Sequence, residues 1–260
     1  MSKNWWCSLS WFCLAAVLAG GCSSPVPPAA PPAAPSPPGQ APSTDDRAAE
    51  RERMVEQQIA RRGVKNERVL AALRKVPRHL FVPDDVRAAA YQDGPLPIGE
   101  GQTISQPYIV AFMTEALNPQ PGQRVLEVGT GSGYQAAVLA ELGAEVYTIE
   151  LLPTLAAQAK ERLERLGYRR VRVRTGDGYK GWPEAAPFDA IMVTCGADHV
   201  PPPLFEQLKP GGMMIIPVGP TGGEQWLRVI TKGPEGQRQE QDVLPVRFVP
   251  LRRAEEVEKR

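Results

Sequence analysis

The segment Glu127-Val128-Gly129-Thr130-Gly131-Ser132-Gly133 restricts the fold more than any other part of the chain. It follows a short apolar run, Val125–Val128, and precedes a run of helix formers, Tyr134–Leu142. Glycines at alternate positions let the backbone take positive φ and reverse sharply, so the stretch reads as strand, tight turn, helix. The same order then recurs. Glu145–Ile149 reads as a second strand and Pro153–Leu166 as a helix stopped by Gly167. Val171–Arg174 and Phe188–Thr194 read as third and fourth strands, Leu204–Leu208 as a short helix, and Gly212–Pro217 as a fifth strand. Gln225–Ile230 and Gln241–Phe248 have no helical segment between them and read as a closing hairpin. The alternation predicts an α/β, doubly wound, mostly parallel sheet with helices on both faces and an antiparallel edge strand.

Before this unit, Arg47–Arg62 reads as a helix ending at Gly63, with Thr44-Asp45-Asp46 as candidate caps. Glu67–Lys75 reads as a second helix stopped by Pro77. Arg78–Pro83 is expected to be extended, Tyr91–Pro107 to be loop, and Ile109–Leu117 to be a helix with Pro107 near its start. The chain has 260 residues and a formal net charge of +1, so no global charge argues for nucleic acid as a partner. The arginines of Tyr168–Arg174 alternate with Val at Val171 and Val173 and read as the solvent side of a half-buried strand.

The first 45 residues do not belong to a folded core. Residues 1–22 read as a signal peptide: Lys3 is followed by the apolar stretch Trp5–Val17, too short to span a membrane comfortably. Leu18-Ala19-Gly20-Gly21-Cys22 resembles a bacterial lipoprotein cleavage site, with Ala19 where a larger aliphatic residue is usual. That resemblance implies lipid on Cys22, a membrane tether and a periplasmic location. Residues 23–45 are a Pro/Ala-rich linker that favours polyproline II geometry, with a reach of roughly 70 Å. The folded domain is expected over residues 46–252, with a charged tail at 253–260. Cys195 is the one cysteine of that domain, so no intrachain disulfide is available to it.

A glycine turn at the C-terminal end of a parallel strand is where open α/β sheets bind ligands. Gly-x-Gly-x-Gly alone does not distinguish among nucleotide ligands. Glu150 ends the second strand, where a carboxylate can accept hydrogen bonds from both ribose hydroxyls. Gly176-Asp177-Gly178 follows the third strand; Asp177 can accept from an adenine amino group, and Gly178 leaves room for the ring. Both residue types also make ordinary turns. With Glu127 ahead of the glycines, the pattern Glu-x-Gly-x-Gly-x-Gly is typical of methyltransferases, and the implied cosubstrate is S-adenosyl-L-methionine.

Residues 48–252 resemble the protein-L-isoaspartate O-methyltransferase family. The resemblance is carried by Val76–Pro83, Gly101–Tyr108, Val125–Tyr134, Gly176–Gly178, Phe188–Ile191, Leu208–Gly212 and Val246–Leu251. The segment Thr103-Ile104-Ser105-Gln106-Pro107 is its most specific part. The resemblance implies a Rossmann-like, class I methyltransferase fold. It also implies methyl transfer from S-adenosyl-L-methionine to the α-carboxyl of L-isoaspartyl residues in damaged proteins and peptides, a repair reaction. It places the active-site serine at Ser105 and cofactor contacts at Gly129, Thr130, Gly131, Gly133, Glu150, Asp177 and Gly178. Thr103, Ile104, Gln106, Pro107, Tyr108 and His199 are then expected to contact substrate or close over the site.

Such a reaction needs no general base, because an α-carboxyl of pKa about 3.3–3.7 is already ionised at neutral pH. Ser105 is therefore expected to orient a carboxylate. His79 reads as structural, and two histidines without clustered acids or cysteines argue against a metal. A monomer is expected. The rival readings are a methyltransferase acting on another substrate and an inactive, anchored binding protein.

Overall fold

The computed structural model describes residues 47–257. The signal peptide, Cys22, the whole linker, the candidate caps Thr44-Asp45-Asp46 and residues 258–260 lie outside them. Helix α1, Ala48–Met54, runs on through a π turn at Val55–Ile59 and a 3-10 turn at Ala60–Arg62. It ends at Gly63, whose φ of 101° suits glycine. Helix α2 spans Glu67–Lys75, as the sequence predicts. Its start is set by Asn66, whose Oδ1 accepts from the Arg68 and Val69 backbone amides. Arg78–Phe81 forms a 3-10 turn rather than extended chain. This turn buries Arg78, His79 and Phe81 together.

The region expected as loop contains a small antiparallel hairpin, β1 at Leu96–Gly99 and β2 at Gln102–Ile104. Its reversal uses positive φ at Gly99, Glu100 and Gly101. Gly and Pro marked the turn correctly but hid strands this short. Helix α3, Pro107–Leu117, follows directly and places Pro107 in its first turn.

The main sheet joins β3 Arg124–Val128, β4 Glu145–Glu150, β5 Arg172–Thr175, β6 Phe188–Val193, β7 Leu208–Val218, β8 Gln225–Lys232 and β9 Arg238–Val246. Its order is β5-β4-β3-β6-β7-β8-β9. The first five of these strands run parallel, while β7, β8 and β9 pair antiparallel. Helices α4 Tyr134–Glu141 and α5 Pro153–Arg165 make the crossovers, and α6 Pro202–Glu206 precedes β7. A short α7, Ala254–Val257, occupies the charged tail. Strand β7 begins earlier than expected because Leu208 pairs with Phe188 across an irregularity in the register.

Successive residues of β3 face opposite sides, and the two hydrophobic clusters divide accordingly. Val125 packs into the larger cluster with α1 to α5; Leu126 and Val128 pack into the smaller one with Leu204 of α6. Glu127 shares the face of Val125, the side of α3 and α4. The arginines of the edge strand β5 do not simply point to water: Arg172 lies over the Tyr147 ring and Arg174 over Trp182.

The Asn66 cap is a test of local encoding. Asn66→Ala should lower stability by about 1 kcal/mol in a denaturant titration, whereas Asn66→Asp, which keeps the acceptor, should lose much less.

Candidate active site

The turn after β3 is pinned from both neighbouring strands. The amides of Gly129 and Thr130 donate to the Ile149 carbonyl of β4, at 2.8 and 3.1 Å. On the other side, Thr194 Oγ1 donates towards the carbonyls of Val128 and Gly129, at 3.0 and 2.7 Å. Gly129 has φ of 101°, and a Cβ there would lie 2.4 Å from Thr194 Oγ1 and 2.8 Å from Cys195 Sγ. A side chain at this position would have to push the Thr194 and Cys195 side chains aside and hold a positive φ. The Glu150 carboxylate closes the turn: Oε2 accepts from the Gly131 amide at 2.8 Å and Oε1 from the Leu152 amide at 3.1 Å.

Three adjoining cavities open around this turn. The first holds about 520 Å³ and is lined by Gln102, Thr103, Ile104 and Ser105, by the turn residues Gly129 to Ser132, and by Glu127, Glu150, Thr194 and Cys195. The second, about 390 Å³, shares Gln102, Gly129, Glu150 and Cys195 with it and continues past Ile149 and Gly178 to Pro250, Leu251 and Arg252. The third, about 600 Å³, lies beyond Ser105 and is lined by Gln106, Ile109 and the chain from Pro245 to Val249. Thr103, Ser105 and Thr194 belong to both the first and the third.

Most expected residues therefore meet: Ser105, Thr103, Ile104, Gly129, Thr130, Gly131, Glu150 and Gly178 line the first two cavities, and Gln106 lines the third. Others are placed differently. Gly133 takes a φ of 85° as the residue that opens α4, and a Cβ there would sit 3.2 Å from Leu163 of α5. Asp177 Oδ1 accepts from the Tyr179 amide and caps the turn at Gly178–Lys180. Pro107 opens α3, and Tyr108 carries the Arg62 guanidinium over its ring at 3.7 Å. His199 is exposed; its Nδ1 pairs with Asp198 at 2.6 Å, and it lines none of the three cavities. His79 is buried with Nδ1 2.7 Å from the Tyr91 hydroxyl, the structural role expected of it. Among the described residues no group of three or more His, Cys, Asp or Glu converges as metal ligands.

Sequence reasoning did not assign roles to Glu127, Gln135, Thr194, Cys195 or the Val249–Arg252 segment, all of which line the site. Glu127 has no exposed surface. Its Oε2 accepts from Thr148 Oγ1 at 2.6 Å, and Thr148 in turn accepts from Thr130. Its Oε1 is buried without a protein partner. Burial pushes its pKa up to about 8, the Thr148 hydrogen bond opposes that rise, and the nearby Glu150 charge adds to it. Desolvation likewise pushes the Cys195 thiol up to about 12, which keeps it protonated.

Two carboxyls lining one cavity, one with an unpaired oxygen, suit a ligand that carries positive charge. S-adenosyl-L-methionine has an ammonium and a sulfonium group, and its ribose hydroxyls can donate to Glu150.

The chain is similar to known proteins in sequence and fold. The family model described as protein-L-isoaspartate(D-aspartate) O-methyltransferase (PCMT) matches residues 49–256. The protein-L-isoaspartate O-methyltransferase of Opitutus terrae is 61% identical over 207 residues, covering 80% of this chain and 88% of that protein. That of Gloeobacter violaceus is 58% identical over 200 residues, covering 77% and 97%. A solved protein-L-isoaspartate O-methyltransferase superposes with a TM-score of 0.72 at 32% identity, covering 78% of this chain and 66% of that one. The Plasmodium falciparum PCMT, crystallised with S-adenosyl-L-homocysteine, superposes with a TM-score of 0.67 at 26% identity, covering 78% and 98%.

The Glu127 environment predicts a pH dependence. Its folded pKa lies above the ordinary value of 4.5, so between about 4.5 and 8 the folded protein binds more protons than the unfolded chain. Its contribution to stability should thus fall as pH rises through that window. The melting temperature of the ligand-free protein should decline there relative to Glu127→Gln; parallel pH profiles for the two proteins would contradict the assignment.

The glycine turn, the Glu150 contacts and the extent of the sequence match lead to one conclusion: the chain belongs to the protein-L-isoaspartate O-methyltransferase family.

Proposed function

We propose that this protein transfers a methyl group from S-adenosyl-L-methionine to the free α-carboxylate of L-isoaspartyl residues, the first step in repairing damaged proteins. One observation carries the assignment of roles: Ser105, with Thr103 and Thr194, lines both the cavity of the glycine turn and the cavity of Val246–Val249. The first cavity suits the methyl donor and the third the polypeptide, so the boundary between them is where transfer takes place.

The sulfonium supplies an already activated methyl group, and the incoming carboxylate is already ionised. The protein therefore has to align them and exclude water, a contribution that can reach about 7–11 kcal/mol. Ser105 Oγ–H donates to the carboxylate and points one oxygen at the boundary. Glu150 accepts from the ribose hydroxyls on the lone pairs that the Gly131 and Leu152 amides leave free. Glu127 Oε1 meets the ammonium, and releases its proton as that charge arrives. Gly178 and Leu251 bound the nucleoside cavity. Arg247, exposed along the third cavity, offers a cation to the anionic peptide.

The purified protein, given labelled S-adenosyl-L-methionine and matched isoaspartyl and aspartyl peptides, should place base-labile methyl ester on the isoaspartyl peptide alone. Equal labelling of both peptides, or none, would reject the specificity. Ser105→Ala should reduce turnover about 10–100-fold with little change in cofactor affinity. A selective loss of cofactor binding would instead make Ser105 a cofactor residue.

The N-terminal sequence supports a second part of the proposal. Residues 1–22 direct export, Cys22 carries lipid, and residues 23–45 hold a monomeric enzyme away from the periplasmic face of a membrane. The support is the apolar stretch ending at Gly20-Gly21-Cys22 and the Pro/Ala composition that follows. Cell fractionation should recover the protein with membranes, bearing lipid on Cys22 and sized as one chain in detergent. Recovery in the soluble fraction with its N-terminal segment intact would refute the tether.

A further inference from the structure

Ser105 is held from behind by a buried cation. Arg78, in the 3-10 turn after Pro77, has no exposed surface. Its Nε donates to the Ala90 carbonyl at 2.8 Å and its Nη2 to the carbonyl of Ser105 at 2.7 Å. Its guanidinium lies 4.9 Å from the centroid of the Tyr134 ring, which lines the first cavity. Among the described residues no carboxylate pairs with Arg78; its remaining polar neighbour is the Tyr134 hydroxyl, which its Nη1 does not meet in good hydrogen-bond geometry. Burial lowers its pKa to about 10, so it remains charged at neutral pH.

An unpaired charge in this position is costly, and a long apolar side chain would fill the same space without that cost. What the guanidinium adds is geometry, because its planar fork donates in two fixed directions. One direction is spent on Ala90 and the other on the peptide group of Ser105. The outer side of the same segment is tied more loosely. Gln106 Nε2 donates to Asp93, and Arg62 pairs with Asp93, both at exposed positions where such contacts are weak.

We propose that Arg78 is a positioning residue of the methyl transfer: by fixing the Ser105 carbonyl it fixes the backbone from which Ser105 Oγ is aimed at the incoming carboxylate. The inference rests on Ser105 as the group that orients the carboxylate. Arg78 itself touches neither substrate nor cofactor.

A double-mutant cycle tests it, using full-length protein and an isoaspartyl peptide. Arg78→Lys keeps the charge but loses the fork. It should lower kcat about 10–100-fold while the dissociation constant for S-adenosyl-L-methionine changes less than about twofold. Ser105→Ala should then cost tenfold or more in the wild-type background and less than about twofold in the Arg78→Lys background, because the serine is already misaimed. An equal Ser105→Ala penalty in both backgrounds would overturn the proposal, as would an Arg78→Lys enzyme with wild-type turnover. If Ser105→Ala has no effect in wild type, the reading of Ser105 itself fails, a separate result. If Arg78→Lys does not melt cooperatively, the cycle is repeated with Arg78→Gln, which keeps one amide donor. Failure of both to fold would show Arg78 to be structural and would also overturn the proposal.

Discussion

The site depends on the contact between the Glu150 carboxylate and the backbone amides of Gly131 and Leu152. It joins the end of β4 to the turn after β3, and it acts alongside the paired amides of Gly129 and Thr130 on the Ile149 carbonyl. Charge-assisted bonds to backbone amides are stronger than neutral ones and orient both partners. Together with the lack of a side chain at Gly129, they set the depth of the first cavity. A Cβ there would strike the Thr194 and Cys195 side chains, which pack against the turn.

Charge is arranged around that turn with little solvent to screen it. Glu127 and Glu150 both line the first cavity, and both are buried. With Glu127 held near a pKa of 8, the ligand-free protein avoids two adjacent negative charges at neutral pH. A cationic ligand reverses that preference, which couples binding to proton release. The buried Glu127 Oε1, without a protein partner, is an acceptor that a ligand donor would satisfy.

The N-terminal layer shapes the opposite wall. Helices α1 and α2 and the 3-10 turn at Arg78–Phe81 pack in the larger cluster with α3 and α4. Through Arg78 and Asp93 this layer contacts the chain from Ser105 to Gln106, which lies between the first and third cavities. One wall of the cavities is therefore carried by residues that precede the parallel sheet in the chain, another by Pro245–Arg252 after it, and the floor by the strand ends and the turns that follow them.

The sequence by itself determined the repeating strand–turn–helix order, the antiparallel end of the sheet, the glycine turn with Glu150 one strand away, and the specific segment around Ser105. Each of these is written in neighbouring residues: periodicity of two or 3.6, a helix stop, a glycine where φ is positive. Only the tertiary structure decided that Arg78 bonds to Ser105 and that burial raises the Glu127 pKa. The same holds for the packing of Gly133 against Leu163, the capping of a turn by Asp177, and the exposure of His199 outside the cavities. It also revealed the β1–β2 hairpin in a stretch that reads as loop. These features depend on desolvation and on contacts between residues far apart in the chain, which no local pattern records, because they exist only once packing has removed the water between them.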